Sequence, residues 1–121
     1  MNDSICKIVT LSEEDPAPDT KIIRIAGDLD YDNASCAFDR IKEPLAKRPF
    51  RVIIDLEGVP YMDSHGLSFI FKTQKIINNY GGCLKLIKMS NFVFGVYNMA
   101  QFKQLIPIYK TVAEAMADHT T

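Results

Sequence analysis

The run Arg51–Leu56 (RVIIDL) constrains the fold more than any other segment of the chain. Its apolar residues Val52, Ile53, Ile54 and Leu56 follow one another almost without a break. A strand with one face in water alternates apolar and polar residues, whereas a near-continuous apolar strand is buried on both faces. Such a strand belongs inside a sheet that is covered by helices, and the run therefore indicates an α/β domain.

The segments before this run predict an antiparallel hairpin. Ile5–Leu11 and Lys21–Ala26 are rich in β-branched residues, and both are predicted strands. Glu13–Thr20, which contains Pro16 and Pro18, is predicted to be a turn or loop. A parallel crossover needs about a dozen residues or more, so this link is too short for one.

Helices and strands alternate along the rest of the chain. Apolar residues at helical spacing predict a helix that Asp30 or Asp32 caps and that runs to about Leu45. A second helix, from Ser64 to about Tyr80, is stopped by two glycines. The remaining predicted elements are a strand at Cys83–Met89, a helix at Asn91–Met99 capped by Ser90 or Asn91, a strand at Ile106–Tyr109, and a helix at Thr111–Asp118 with a capping box of Thr111 and Glu114.

The order of these elements, β-β-α-β-α-β-α-β-α, predicts a fold of the α/β class. We expect an antiparallel opening hairpin in a mostly parallel five-stranded sheet with about four helices. The chain has 121 residues and is 47% hydrophobic, which suits one domain over residues 1–121 with a core of its own.

Composition excludes several classes of function. With 14 basic and 15 acidic residues, the net charge of -1 gives no overall field that attracts nucleic acid or an acidic membrane. The N-terminus does not resemble a signal peptide, and no apolar run approaches the roughly 18 residues that span a bilayer. We therefore expect a cytoplasmic protein that binds no nucleic acid and inserts no segment into a membrane.

Cysteine and histidine usage favours neither a disulfide scaffold nor a metal site. Cys6, Cys36 and Cys83 are odd in number, widely spaced and without a C-x-x-C pair, so we expect buried structural thiols. No H-x-x-x-H motif or Cys/His cluster is present, and we expect no metal and no cofactor.

The segment Asp63-Ser64-His65-Gly66-Leu67 joins a buried strand to a helix and carries two interpretations. In the first, Ser64 only caps the helix, because its hydroxyl can accept a bond from a free backbone N–H at or near the N-cap. In the second, a phosphate on Ser64 is accepted at the positive end of the helix. That phosphate would make an acidic point beside Asp63 and repel a partner that fits a neutral hydroxyl.

The predicted helix Ser64–Tyr80 has two apolar stripes. One stripe, for the sheet, consists of Leu67, Ile70, Phe71 and Ile77. The other either lies under neighbouring helices or forms a partly exposed binding face beginning beside Ser64, and it consists of Phe69, Thr73, Ile76 and Tyr80.

The segment RVIIDLEGVPYMDSHGL resembles the core of the STAS domain, and in particular that of bacterial anti-sigma factor antagonists. In that family an apolar strand precedes the pattern D-L-x-x-V-x-x-(M/I)-D-S-(S/T)-G-L, which enters a helix. Gly27-Asp28-Leu29-Asp30 is similar to the family's G-E-L-D, and Gly81–Ile87 is similar to its G-G-x-L-x-L strand. The resemblance covers nearly the whole chain.

The resemblance implies a phosphorylation switch. Ser64 matches the serine that an anti-sigma factor kinase of the GHKL type phosphorylates and that a PP2C-type phosphatase restores. The unphosphorylated form binds the kinase and frees the sigma factor. Asp63 matches the acidic neighbour of that serine, and Asp30 matches the acidic residue of a nearby loop. We expect the partner-binding surface to comprise Asp28, Asp30, Asp63, His65, Gly66, Phe69, Thr73 and Ile76.

His65 departs from the family pattern, which has Ser or Thr at this position. The imidazole is bulkier and can carry charge near physiological pH. It could alter which kinase recognises Ser64, pair with a phosphate there, or lie in solvent without a role.

Three alternative functions follow from the same residues. An enzyme with Ser64 as its nucleophile needs a base that faces the hydroxyl. His65 points away as a helical neighbour and His119 is in the tail. A phosphorelay receiver could use Asp55 and Lys110, but it needs a helix between its first two strands. The third alternative is a STAS interaction module of a transport or non-sigma signalling complex. We expect an interaction switch and not an enzyme.

Overall fold

Five strands form one sheet in the order β1-β2-β3-β4-β5 in the computed structural model, which describes residues 10–100 and 106–118. β1 and β2 are antiparallel, and all other neighbours are parallel. The predicted hairpin, mixed sheet and four helices are thus confirmed. The elements are β1 Thr10–Ala17, β2 Thr20–Ala26, α1 Ala34–Leu45, β3 Arg51–Gly58, α2 Ser64–Asn79, β4 Cys83–Ile87, α3 Asn91–Met99, β5 Ile108–Tyr109 and α4 Val112–Ala117.

The hairpin reaches further than predicted. β1 continues through the acidic segment predicted as a loop, and Glu13 and Glu14 pair with Ile23 and Ile22 of β2. Pro16 is tolerated because β1 is an edge strand and its pairing is irregular between Glu14 and Ala17. The predicted strand residues 5–9 lie outside the described residues.

The predicted cap of the first helix is wrong. α1 begins at Ala34 with Asn33 as its N-cap, and the Asn33 side chain makes no capping bond. The Asp30 carboxylate instead closes a turn before the helix, accepting the backbone N–H groups of Asp32 at 3.0 Å and Asn33 at 3.2 Å. An aspartate serves a turn as readily as a cap, and the sequence alone does not separate the two.

The last two helices are capped as predicted. The Ser90 hydroxyl accepts the N–H of Val93 at 3.1 Å, and the Thr111 hydroxyl accepts the N–H of Glu114 at 3.0 Å. β4 stops at Ile87 because Lys88 takes a left-handed conformation with φ 59.

The two faces of the sheet are buried in different ways, which confirms the prediction for Arg51–Leu56. Val52, Ile54 and Leu56 lie in the main core with α1, α2 and α3. Ile53 points to the opposite face, where it packs in a smaller cluster with Ala115 of α4. β3 therefore contributes to the core on both faces of the sheet and has no solvent-facing side over most of its length.

Buried charged side chains lie on the face of the sheet that α4 covers. The Lys85 ammonium is buried and donates to the carbonyl oxygens of Ala115, at 2.7 Å, and Asp118, at the end of α4. The buried Asp55 carboxylate lies 3.4 Å from Arg24 Nε and 3.8 Å from Lys88 Nζ. Asp55 is thus part of an ion-pair network, and the antiparallel hairpin contradicts the receiver topology.

The cysteine expectation is wrong at Cys36, which is bonded in a disulfide. Cys83 is a free, half-buried thiol, and Cys6 lies outside the described residues. Spacing along a chain does not report which thiols meet in space, so this distinction is not predictable from the sequence.

Gly66 is a position at which the fold has no room for a side chain. A Cβ there would lie 2.4 Å from the carbonyl oxygen of Leu29 and 2.5 Å from Cγ of Met62. We expect Gly66→Ala to lower the free energy of unfolding by about 2–3 kcal/mol, the upper part of the range for an overpacked core. Urea unfolding followed by circular dichroism measures this change.

Ser68→Ala is the matched control, because Ser68 is exposed on the same helix. It should change the free energy of unfolding by no more than about 0.5 kcal/mol. Equal unfolding midpoints for Gly66→Ala and Ser68→Ala would contradict the packing argument.

Candidate functional site

The candidate site is built where the loops that follow β2 and β3 lie side by side. Leu29 and Met62 form a parallel β-bridge beyond the ends of these strands. The Leu29 N–H donates to the carbonyl of Tyr61 at 3.0 Å, and the Asp63 N–H donates to the carbonyl of Leu29 at 3.3 Å. The pairing of β2 with β3 is thereby extended to the start of α2, which positions both loops against one helix end.

The Asp63 carboxylate joins these two loops to α2. Oδ1 accepts the N–H of His65 at 2.8 Å, which makes Asp63 the N-cap, and Oδ2 accepts the N–H of Tyr31 at 3.1 Å. Partial burial works to raise the pKa of Asp63, but the N–H groups of His65, Tyr31 and Gly66 outweigh it and hold the pKa below its usual value. Asp63 therefore stays ionised at neutral pH.

Ser64 is the first residue of α2 and is exposed. The prediction placed it at or near the N-cap, and the interpretation that it serves only as the cap is wrong, because the capping side chain is that of Asp63. Its hydroxyl instead lies at a helix end, where the backbone carries partial positive charge. This arrangement presents a nucleophilic oxygen to solvent without using it for the fold.

His65 is exposed but held in place. Its Nδ1 lies 3.4 Å from Asp63 Oδ1, and its ring meets that of Tyr31 edge-on, with 5.5 Å between centroids. The imidazole is thus turned toward Asp63 and the first loop. His119, the other histidine considered as a base, lies outside the described residues.

The acidic loop after β2 is brought to the same edge. Asp28 and Asp30 are half-buried, and the Asp28 carbonyl accepts the side-chain amide of the buried Asn33 at 3.0 Å. Because Tyr31 is tied to Asp63, this loop borders Ser64, and the binding role of both carboxylates stays a prediction.

Three of the predicted binding residues do not face solvent. Phe69 is 1% exposed and Thr73 is 0% exposed, and the Thr73 hydroxyl donates to the Phe69 carbonyl at 2.7 Å. Gly66 is buried by the close approach of Leu29. The prediction of an exposed face is therefore wrong at these positions.

Ile76, further along the same stripe, is only half-buried. It borders a groove of about 440 Å³ between α1 and α2, together with Leu45 and Tyr80. The Tyr80 hydroxyl donates to the Pro49 carbonyl at 2.7 Å, and burial raises its pKa to about 12. Ile76 thus remains accessible, and its role in binding stays a prediction.

Exposed aromatic residues around Ser64 are the feature that the sequence reasoning missed. Tyr31 contacts His65, and Tyr61 stacks on Phe92 of α3 with 5.5 Å between ring centroids. All three of Tyr31, Tyr61 and Phe92 are exposed. The available signal was the presence of tyrosines inside the polar turn segments YDN and PYMD.

Within residues 10–100 and 106–118, no group of three or more His, Cys, Asp or Glu side chains is placed to hold a metal ion. In the same part of the chain, no helix combines the length and the apolar character that a membrane crossing requires.

Comparison with known proteins gives consistent matches. A model of the STAS domain matches residues 13–115. An anti-sigma F factor antagonist of Paenibacillus polymyxa is 26% identical over 98 residues, which cover 80% of this chain and 84% of the relative. An anti-sigma-B factor antagonist of Bacillus subtilis is 33% identical over 86 residues, which cover 71% and 78%.

Solved structures match the fold. The anti-sigma factor antagonist SpoIIAA aligns in its unphosphorylated form with a TM-score of 0.72 and 20% identity, over 88% of this chain and 93% of that one. Its phosphorylated form, from Bacillus, aligns with a TM-score of 0.66 and 19% identity, over 88% and 96%. A segment of the murine anion transporter Slc26a9 aligns with a TM-score of 0.72 and 16% identity, over 84% of this chain and 18% of the transporter.

The contribution of Asp63 to stability can be measured by substitution. Asp63→Ala removes the cap and the acceptor for the Tyr31 N–H, and we expect a loss of about 2 kcal/mol in the free energy of unfolding. Asp63→Asn keeps one acceptor oxygen and should lie between Asp63→Ala and the wild type. Urea unfolding measures all three proteins.

Asp39→Ala is the control, because Asp39 is exposed and its ion pair with Lys42, at 3.8 Å, contributes little. An Asp63→Ala protein as stable as Asp39→Ala would show that the carboxylate does not hold the two loops.

The lowered pKa of Asp63 predicts a pH dependence. A carboxylate whose pKa is lower in the folded state stabilises the fold above its unfolded pKa of about 4, and this contribution is lost as the pH falls through the folded pKa. The stability difference between wild type and Asp63→Asn should therefore be largest near pH 7 and shrink below about pH 4. Urea midpoints from pH 7 to pH 3 measure it, and a constant difference would contradict the assignment.

Proposed function

Because this chain belongs to the STAS domain family, we propose that it is an anti-sigma factor antagonist whose binding is switched by phosphorylation of Ser64. In this partner-switching scheme the unphosphorylated chain binds an anti-sigma factor kinase of the GHKL type, and a PP2C-type phosphatase restores that form. The proposal includes a cytoplasmic location, where ATP is available to the kinase, and regulation of transcription as the outcome.

The observation that carries this proposal is the division of roles between Asp63 and Ser64. Asp63 supplies the capping oxygen, so the Ser64 hydroxyl is exposed and not required for the fold. A kinase can transfer the γ-phosphoryl group of ATP to Oγ, with ADP leaving and the hydroxyl proton released. Water, activated by the phosphatase, then attacks the phosphorus atom, the P–Oγ bond breaks, and inorganic phosphate leaves while Oγ takes up a proton to restore the hydroxyl.

Electrostatics explain how the phosphate would act. A phosphoserine adds about -1.5 to -2 charges at neutral pH. The N-terminus of α2 tolerates this charge, since helix dipoles favour anions there. The ionised Asp63 is the adjacent residue, and so the same group makes a concentrated acidic point at the surface. The domain should stay folded while a partner that fits a neutral hydroxyl is excluded.

The names of the sequence relatives and the folds of the solved structures support this proposal. Two relatives are antagonists of anti-sigma factors, and SpoIIAA is known in unphosphorylated and phosphorylated forms with the same overall fold. The transporter match concerns fold alone, at 16% identity, and no feature of the site favours a transport complex.

The switch is tested with two variants at Ser64. Ser64→Ala should bind the anti-sigma factor from the same genome within about threefold of the wild-type affinity. Ser64→Asp should bind at least tenfold more weakly, a change of about 1.4 kcal/mol. Isothermal titration calorimetry with the purified anti-sigma factor measures both affinities.

The design separates lost binding from lost structure. An acidic residue in the first turn interacts favourably with the helix dipole, so Ser64→Asp should unfold at the same or a higher urea concentration than wild type. Equal affinities of the Ala and Asp variants would contradict the switch, as would Ser64 remaining unmodified when the kinase and ATP are supplied and the chain is analysed by mass spectrometry.

A further inference from the structure

Helix α3 (Asn91–Met99, NFVFGVYNM) is a surface helix without a charged side chain. Val93 and Tyr97 are buried in the main core, whereas Phe92 is 52% exposed and Met99 is 79% exposed. A surface helix normally presents charged or polar residues on the face away from the core. The chain as a whole is 24% charged, so the lack of Asp, Glu, Lys and Arg in these nine residues is specific to this helix.

Two exposed apolar residues of α3, Phe92 and Met99, share one face with a glycine, whereas Phe94, which is 46% exposed, lies on another side of the helix. Positions 92, 95 and 99 are spaced by three and four residues and therefore lie along one side of the helix. A Cβ added at Gly95 would meet no atom within 4 Å. Gly95 is also not among the residues with positive φ, so the backbone conformation does not require glycine.

Neither packing nor backbone conformation in the described part of the chain thus explains why position 95 is a glycine. Glycine lowers the stability of a helix interior relative to alanine. Because Gly95 has no side chain, a notch is left between Phe92 and Met99 on the outer side of α3. A notch flanked by exposed apolar side chains can receive a side chain from another molecule.

This face of α3 is continuous with the Ser64 site. Tyr61, which is 43% exposed, stacks on Phe92 with ring planes 23° apart. Tyr61 lies three residues before Ser64, in the same loop that ends at the Asp63 cap. A protein that contacts Ser64 and extends toward α3 therefore meets Tyr61 and then Phe92.

We propose that Tyr61, Phe92, Gly95 and Met99, here called the α3 face, form an apolar docking surface for the anti-sigma factor that recognises Ser64, with a partner side chain seated in the notch at Gly95. This inference rests on the proposed function. It adds to that function the surface that supplies most of the binding affinity. The partner surface is apolar and uncharged, because α3 offers no ionic contact.

The size of protein interfaces favours this occupant. A stable interface buries about 800 Å² on each partner, which is far more than one serine and its neighbours supply. Interface centres are enriched in Tyr, Phe and Met and depleted of Lys, Glu and Asp. The α3 face has this composition, whereas Ser64 and the acidic loop supply the polar part of the same surface.

The test compares Phe92→Ala and Tyr61→Ala with the control Phe50→Ala. Phe50 is 43% exposed and immediately precedes β3, so it lies at the opposite end of the strand from Ser64. Calorimetry with the purified anti-sigma factor from the same genome should show about tenfold weaker binding for the first two variants. Phe50→Ala should stay within twofold of wild type.

Gly95→Ala separates docking from stability. Alanine fills the notch but favours the helix, so this variant should unfold at a higher urea concentration than wild type and yet bind the anti-sigma factor at least fivefold more weakly. A simple structural role would move both measurements in the same direction.

The outcomes are distinguishable. Failure of the wild-type chain to bind overturns both the proposed function and this inference. Wild-type binding that Phe92→Ala and Tyr61→Ala leave unchanged overturns the α3 face alone, and unchanged binding by Gly95→Ala overturns the notch. If Phe92→Ala instead abolishes self-association of the chain in sedimentation velocity, the face is a contact between copies and the inference is wrong.

Discussion

The carboxylate of Asp63 is the interaction on which the site depends. Through one oxygen it caps α2, and through the other it holds the N–H of Tyr31 in the loop after β2. The two oxygens of the carboxylate let one side chain both cap the helix and hold the neighbouring loop. Two consequences follow for Ser64. Its hydroxyl is not needed as the helix cap, and its surroundings are set by the loops that follow two neighbouring strands.

Close packing lies beneath Ser64. Gly66 brings α2 against the backbone of Leu29, and Phe69 and Thr73 further along the helix are buried. Residues that follow Ser64 along the helix thus alternate between supporting the site and facing solvent. A binding surface built on this helix has to use its exposed positions and then continue onto other elements, and the loop before Ser64 leads directly to α3.

The sequence predicts those features that one local pattern determines. The nearly continuous apolar run at Val52–Leu56 dictates burial on both faces, and the short link before β2 dictates an antiparallel hairpin. Prediction from the sequence fails where two residues of similar chemistry could fill the same role. Asp63 and Ser64 are equally good caps by type, and the structure shows that Asp63 takes this role while also accepting the N–H of Tyr31. The stripe of Phe69 and Thr73 is as apolar as many exposed faces, and tertiary packing decides its burial. The significance of Gly95 was likewise not predictable, because it depends on the empty space beside it.

The packing of the site bears on how the proposed phosphorylation would act. Asp63 caps the helix end and Gly66 packs it against Leu29, so we expect the phosphate to work by charge and bulk at the surface and not by refolding the helix end. Two unit charges about 4 Å apart interact by roughly 4 kcal/mol at an effective dielectric constant of about 20. Salt and solvent reduce this, but a residual third of it already corresponds to about a tenfold change in affinity. Charge alone is then sufficient for a switch at the polar edge of the interface, whereas the apolar face on α3 has no group that phosphate can repel. In the proposed switch, regulation therefore belongs to Ser64, and most of the affinity comes from the α3 face, which phosphorylation leaves unchanged.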